Sequence, residues 1–382
     1  MVRKLRMGMI GGGSGSFIGD VHRKAASIDG MIELVCGAFS SNAEKSRASG
    51  RALFLPVERC YGDFEEMILK EKQLSEDERM DFVAIVTPNH MHFPPAKMAL
   101  EHGFHVVCDK PMTLTLDEAY ELEQVVERSG KLFALTHNYT GHPMVKQARA
   151  LVANGDLGTI RKIQVQYLQG WLSTALEKTD HKQASWRVDP KKSGIGGALG
   201  DIGTHAENLT EYITGLKIDE LAADLGRFGD GRILDDDGNV LIRMNNGAKG
   251  TMSLSQVALG EENNLAIKVY GEKGSLEWHQ ENPNELITRW LGSSKKIFTP
   301  QSSDLYPEAL NASRIPAGHP EGYLEAFATI YKNFATHLLA VLNNENLETP
   351  DYPTVKDGVR GMQFIYASVE SDKNNASWTK LN

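Results

Sequence analysis

Lys110 stands in the run Cys108-Asp109-Lys110-Pro111, and Asp201 and His205 stand four apart in Asp201-Ile202-Gly203-Thr204-His205. An amine, a carboxylate and an imidazole are groups that move a hydroxyl proton near neutral pH, the carboxylate orienting the imidazole and stabilising its charged form. The spacing of four predicts that Asp201 and His205 share one face at the start of a helix. A capping Asp followed by a surface His fits that pair equally well. A second set lies near the start of the chain. Gly11, Gly13, Gly15 and Gly19, with Ser16 and Ile18 among them, follow a short apolar run. A pyrophosphate needs backbone N–H groups brought close at a helix N-terminus, and larger side chains obstruct that approach. The loop departs from strict G-x-G-x-x-G, with Gly19 the best match for the third glycine, and its place in a first strand–loop–helix unit favours a dinucleotide.

The end of the second strand reads Phe39-Ser40-Ser41-Asn42, with Lys45 and Arg47 following and no acid. An acid there would accept from the 2′-OH of NAD, whereas hydroxyls and cations suit a 2′-phosphate at least as well. The plainer alternative is a helix cap followed by solvated cations. The cofactor is therefore read as NAD or NADP. Thr87-Pro88-Asn89-His90-Met91-His92 follows another strand and is expected to wall the cofactor; without H-E-x-x-H or a third ligand, no metal site is expected. Asp235-Asp236-Asp237-Gly238 resembles half an EF-hand, but its twelfth position is Asn246 where a Glu is required, so it reads as a turn entering a strand.

These residues must be positioned by regular elements. Strands are predicted at Leu5–Ile10, Ile32–Phe39, Phe82–Val86, His105–Cys108 and Leu132–Thr136, alternating with helices at Val21–Ile28, Asn42–Leu53, Pro95–Glu101 and Leu116–Arg128. That alternation predicts a doubly wound parallel sheet covered on both faces. Lys110 then emerges at the carboxyl edge of the sheet, where such folds bind ligands, and Pro111 permits a cis bond that would aim it. Beyond residue 138 the pattern changes to a helix near Pro143–Ala153, a strand at Ile160–Gly170, and two antiparallel hairpins turning at Asn246-Gly247 and Glu272-Lys273-Gly274. Helical patterns return at Tyr323–Leu342 and Val355–Val369. The fold class is α/β, with a dinucleotide-binding domain over 1–138 and an α+β domain over 139–382.

The 382 residues suit about two domains. A net charge of −9 is a poor match for a phosphate backbone, so nucleic acid is not an expected partner. Three cysteines without C-x-x-C spacing fit a reducing compartment, and no apolar run nears the roughly 18 residues of a membrane span. The expected setting is cytoplasmic, without a membrane partner.

The glycine loop with Ile18-Gly19 and His22, Thr87-Pro88-Asn89 with His92, Lys110-Pro111, and Gly196-Gly197 through Asp201, Gly203, His205 and Asn208 together resemble the Gfo/Idh/MocA family of sugar and polyol oxidoreductases. The resemblance covers nearly the whole chain, with Asp109 standing where the family usually has Glu. It implies an N-terminal Rossmann domain, a C-terminal domain with a large open, mainly antiparallel sheet that mediates homodimers or homotetramers, and bound NAD or NADP. It places Lys110, Asp201 and His205 around the nicotinamide as catalytic groups that also meet the substrate. Tyr139, His142, Trp171, Trp186 and Arg187 are candidates to line a sugar pocket, since aromatic faces stack on sugar C–H surfaces; a core role fits either Trp equally. The expected reaction transfers a hydride between a sugar, glycoside or cyclitol carbon and nicotinamide. The alternatives are a glycosidase working by NAD-dependent oxidation and elimination, and a non-catalytic dinucleotide-sensing regulator, which has no need of proton-transfer groups.

Overall fold

The computed structural model describes residues 3–179, 182–345 and 350–381. The short apolar runs of the first third become β1 (Leu5–Gly11), β2 (Ile32–Ala38), β3 (Phe82–Val86), β4 (His105–Cys108) and β5 (Phe133–Leu135), paired in parallel in the order β2-β1-β3-β4-β5. All five residues of β3 are buried, as a strand covered on both faces requires. The crossovers carry α1 (Phe17–Ile28), α2 (Ala43–Ala52), α3 (Phe64–Gln73), α4 (Phe93–Glu101) and α5 (Leu116–Ser129). Helix α3 has no counterpart in the sequence reading, because its apolar set is short, Phe64, Met67 and Ile68, and the next position on the buried face is Glu71. Its start is nevertheless marked by Asp63, whose Oδ1 accepts from the Glu66 N–H at 2.7 Å. The order reverses between β1 and β3, and the carboxyl ends there are where such sheets bind ligands.

The chain divides into two compact units, one running to Asn138 and taking in Phe327–Val359, the other comprising Tyr139–Ala326 and the chain from Arg360 onward. In the first unit the returning segment completes the core. Phe334 meets Phe82 edge-on at 5.1 Å between ring centroids, and the Leu135 N–H donates to Pro353 O at 2.8 Å.

The second unit is built on a sheet of nine strands: β6 (Ile160–Leu168), β7 (Ile218–Gly226), β8 (Asp237–Met244), β9 (Lys249–Ser255), β10 (Asn264–Gly271), β11 (Gly274–His279), β12 (Leu286–Trp290), β13 (Lys296–Phe298) and β14 (Thr379–Lys380). Their order is β13-β12-β11-β10-β6-β9-β8-β7-β14, antiparallel except for the β6–β9 pair. Both predicted hairpins form, β8–β9 and β10–β11. Alternation sets the faces: Val240, Ile242 and Met244 are buried while Asn239 and Leu241 face outward. The helices of the chain's remainder are α6 (Pro143–Ala153), α7 (Lys182–Arg187), α8 (Pro190–Ser193), α9 (Thr204–Thr214), α10 (Pro307–Ala312), α11 (Tyr323–Leu342) and α12 (Val355–Lys373), with α9 packed on β6. The other sheet face presents Lys162, Gln164, Thr251 and Arg289 to solvent. Among the described residues no helix is long and apolar enough to cross a membrane, and no group of three His, Cys, Asp or Glu is placed to hold a metal ion.

Candidate active site

The glycine loop joins β1 to α1 as its residue types require. Ser16 caps α1, its Oγ accepting from the Gly19 N–H at 3.3 Å. A Cβ at Gly19 would lie 2.3 Å from the Gly12 Cα, so only glycine lets the helix start close against the loop. The site therefore fits a pyrophosphate: a glycine-built approach, a helix N-terminus of twelve residues behind it, and no bulky side chain at its closest point. Gly11 ends β1, Gly13 and Gly15 lie in the connecting turn, and Ile18 is in the first turn of α1. At the end of β2, Ser40 Oγ accepts from the Asn42 N–H at 3.2 Å and Asn42 Oδ1 accepts from the Lys45 N–H at 2.9 Å, so Asn42 is the cap of α2. Ser41 and Lys45 are exposed, and Arg47 is paired with Glu66 at 3.0 Å.

The loops after β3 and β4 are joined through one imidazole. The ring nitrogens of His92 lie 2.7 Å from Pro111 O and 2.8 Å from Thr87 O, and the residue is buried. Burial lowers its pKa against the opposing pull of Asp109. The His92 ring thus lies between two of the protein's own carbonyls, its neutral form donating to one of them, which packs the Thr87-Pro88 loop beside the Lys110-Pro111 turn. Asn89 is buried in the same loop. The Lys110–Pro111 bond is cis. Asp109 Oδ1 accepts from the Lys110 N–H at 2.9 Å and from the Thr136 hydroxyl at 2.8 Å, which fixes the backbone from which Lys110 projects. Its other oxygen lies 4.0 Å from Nε2 of His22, a fully buried ring bonded through Nδ1 to the Tyr331 hydroxyl at 2.8 Å. Burial pushes the His22 pKa down to about 4, so the ring is neutral at pH 7.

Asp201 and His205 lie in the second unit, but not on one regular α-helix. Asp201 sits in a π-helical turn, Leu199–Gly203, and His205 in the first turn of α9. Asp201 does not cap the helix; Arg187 and Gln256 take up its Oδ2, donating from Nε at 3.0 Å and Nε2 at 2.8 Å. The wider turn is held from outside by Asp235, whose two carboxylate oxygens accept from the Gly197 and Leu199 N–H groups at 2.7 and 2.6 Å. A Cβ at Gly197 would meet Asp235 O at 2.0 Å, so glycine is what lets the two segments touch.

The His205 ring rests edge-on against Tyr139 at 4.8 Å between centroids. Tyr139 is buried, its hydroxyl 2.6 Å from that of Tyr167, which donates to Asn263 Oδ1 at 2.7 Å. His142 is buried as well, stacked on Tyr139 and tilted against Trp278. Tyr139 thus supports His205 directly, and His142 packs behind Tyr139. Trp171 and Trp186 are only half-buried, and the Arg187 guanidinium lies 4.3 Å from the Trp186 ring and 5.8 Å from that of Trp171. The sequence reading missed Gln256, Tyr167 and Asn263, and took Asp235 only as part of a turn entering a strand. Glycine at 196 and 197 was the one available signal that another segment approaches there.

Residues 5–137 match the oxidoreductase family described as having an NAD-binding Rossmann fold, and residues 145–277 match the GFO/IDH/MocA C-terminal domain. The chain belongs to the GFO/IDH/MocA family. It is an oxidoreductase of the sugar and polyol dehydrogenase kind. The uncharacterized oxidoreductase YfiI of Bacillus subtilis is 34% identical over 99% of this chain and 97% of its own length. The crystal structure of an inositol dehydrogenase homolog from Azotobacter vinelandii, complexed with NAD+, superposes with a TM-score of 0.94 at 34% identity, covering 100% of this chain and 98% of that one. That homolog has also been solved with NADH and myo-inositol. Levoglucosan dehydrogenase of Pseudarthrobacter phenanthrenivorans is 28% identical over 75% of this chain and 76% of its own.

Proposed function

We propose that this protein oxidises a ring hydroxyl of a neutral sugar, glycoside or cyclitol, with His205 or Lys110 handling the hydroxyl proton and Asp201 orienting the imidazole. The observation that carries the reading is Asp201, held by Arg187 and Gln256 one turn before a His205 ring seated on Tyr139. A carboxylate fixed by two donors has a set direction, and an imidazole braced on an aromatic face has a set plane, which is what proton transfer at a bound hydroxyl needs. When bound, the nicotinamide supplies the hydride acceptor. Trp171 and Trp186 offer half-exposed aromatic surface to sugar C–H groups, and Arg187, already paired with Asp201, adds no unpaired cation for an anionic substrate. The myo-inositol and levoglucosan relatives support a neutral polyol. The outward face of the nine-stranded sheet, with Leu241 and Ile297 among its exposed residues, is assigned to self-association as a homodimer or homotetramer. The buried free thiols of Cys36, Cys60 and Cys108 favour a cytoplasmic setting.

The test is a screen of sugars and cyclitols for reduction of NAD+ and NADP+, followed by product stoichiometry. One reduced cofactor per sugar oxidised is expected; release of an aglycone without net reduction would replace this reading with the elimination glycosidase. Lys110→Met should keep dinucleotide affinity and lower turnover by roughly 100-fold or more, the scale of lost proton-transfer catalysis. Unchanged turnover in that variant refutes the assignment of Lys110.

A further inference from the structure

Beside the start of α2, the first turn of α3 holds a carboxylate that the glycine-loop reading does not use. Arg47 lies one turn after Ala43, and side chains on a helix lean toward its N-terminus. The guanidinium does so here: a Cβ built at Gly62 would lie 3.0 Å from Arg47 Nη2 and 3.2 Å from the Ala43 Cβ. The cation is therefore beside the first turn of α2, directly after Ser40 and Ser41, the segment expected to meet the 2′ position of the adenosine ribose. It is already engaged there. Glu66 Oε2, 3.0 Å from Arg47 Nη2, also accepts from the Gly62 N–H at 2.7 Å, while Oε1 accepts from Lys70 at 2.7 Å. Those donors, Lys70 first and the Gly62 amide second, hold the Glu66 carboxyl below its ordinary range, so it is an anion at neutral pH.

We propose that Glu66 is a specificity-determining residue that turns this site toward NAD and against NADP, by occupying Arg47 and by setting a negative charge beside the position of the 2′-phosphate. A 2′-OH is indifferent to that charge, whereas a dianionic phosphate is repelled by it and must also draw Arg47 away. The ion pair is partly exposed, with 44% of the Arg47 side chain and 25% of the Glu66 side chain accessible, so it is a weak latch and the discrimination is tenfold in scale, not absolute.

The inference rests on the dinucleotide reading of the glycine loop, and the experiment separates the two. NADH and NADPH are titrated against wild type, Glu66→Gln, and the double variant Glu66→Gln with Arg47→Met. Glutamine keeps an acceptor for the Gly62 N–H, so the start of α3 is retained. The expected result is that wild type binds NADH more tightly than NADPH. Glu66→Gln should then tighten NADPH by about 5- to 10-fold with NADH unchanged within twofold, and the added Arg47→Met should erase that gain. Absence of NADH binding in wild type overturns the glycine-loop reading itself. NADH binding with an unchanged NADPH affinity in Glu66→Gln, or with a gain that survives loss of Arg47, overturns the role of Glu66.

Discussion

Asp235 gives a prediction whose size follows from its surroundings. It is 4% exposed, and its two oxygens receive the Gly197 and Leu199 N–H groups. Burial pushes its pKa from 3.8 up to about 6, with those two donors pulling in the opposite direction. The folded chain thus binds this proton more tightly than the unfolded chain. Stability from this group is full below the unfolded pKa and is lost as pH rises through the folded one. The two-unit difference corresponds to about 3 kcal/mol between pH 4 and pH 7. Asp235→Asn removes the titration but turns an NH2 toward one of two backbone donors, leaving a buried N–H unpaired at a cost of about 1–3 kcal/mol. The variant should therefore be less stable than wild type at pH 4 and should regain about 3 kcal/mol relative to it by pH 7, measured by urea unfolding of both proteins across that range. Turnover at pH 7 should fall as well, because the same contacts shape the turn that carries Asp201. A stability difference that does not change with pH refutes the reasoning.

Gly19→Ala puts a Cβ 2.3 Å from the Gly12 Cα, so NADH affinity should fall by more than 10-fold; an unchanged titration would mean that the dinucleotide does not use this loop. Gln256→Leu removes one of two donors to Asp201 and should lower turnover about 10-fold while leaving NADH affinity intact, the scale of one hydrogen bond to a charged group; equal kinetics would show that Arg187 alone suffices. His22 is held at about 4 and His105, His137 and His142 at about 3, each by burial, so unfolding lets them take up protons. Their stability is complete above pH 6.5 and drains away as pH falls toward 4, so the Tm should drop steeply from pH 7 to pH 5; a flat profile argues against these buried neutral rings.

The parallel sheet was legible because each of its strands is a short apolar run followed by turn residues, and that pattern has few other solutions. Lys110 was legible for the same reason, since the end of β4 fixes its address. Asp201 and His205 were legible as a pair at the start of a helix, but not that this start is a π-helical turn, Leu199–Gly203, braced by Asp235, thirty-four residues beyond Asp201. Local spacing carries no trace of such a brace. The same limit hid Gln256 and Asn263, polar residues at strand ends whose partners are distant in sequence. Tyr139 and His142 look from the sequence like available aromatic surface, and only the packing of Tyr167 and Trp278 around them shows that they are enclosed.

The returning segment Phe327–Val359 bears on how this protein is made. Tyr331 closes over His22, Phe334 over Phe82, and Pro353 O receives the Leu135 N–H, so the first sheet borrows part of its covering from chain synthesised more than two hundred residues later. At ribosomal rates of roughly 5–20 residues per second, the emerging strands wait on the order of ten seconds or more with that apolar face uncovered. Vectorial folding of the first 138 residues therefore stops short of the native core, and a nascent chain at that stage is a natural client for a chaperone. Expression of 1–138 alone should yield aggregating protein, whereas a circular permutant that begins near residue 327 would bring the covering helix out of the ribosome ahead of the strands it protects.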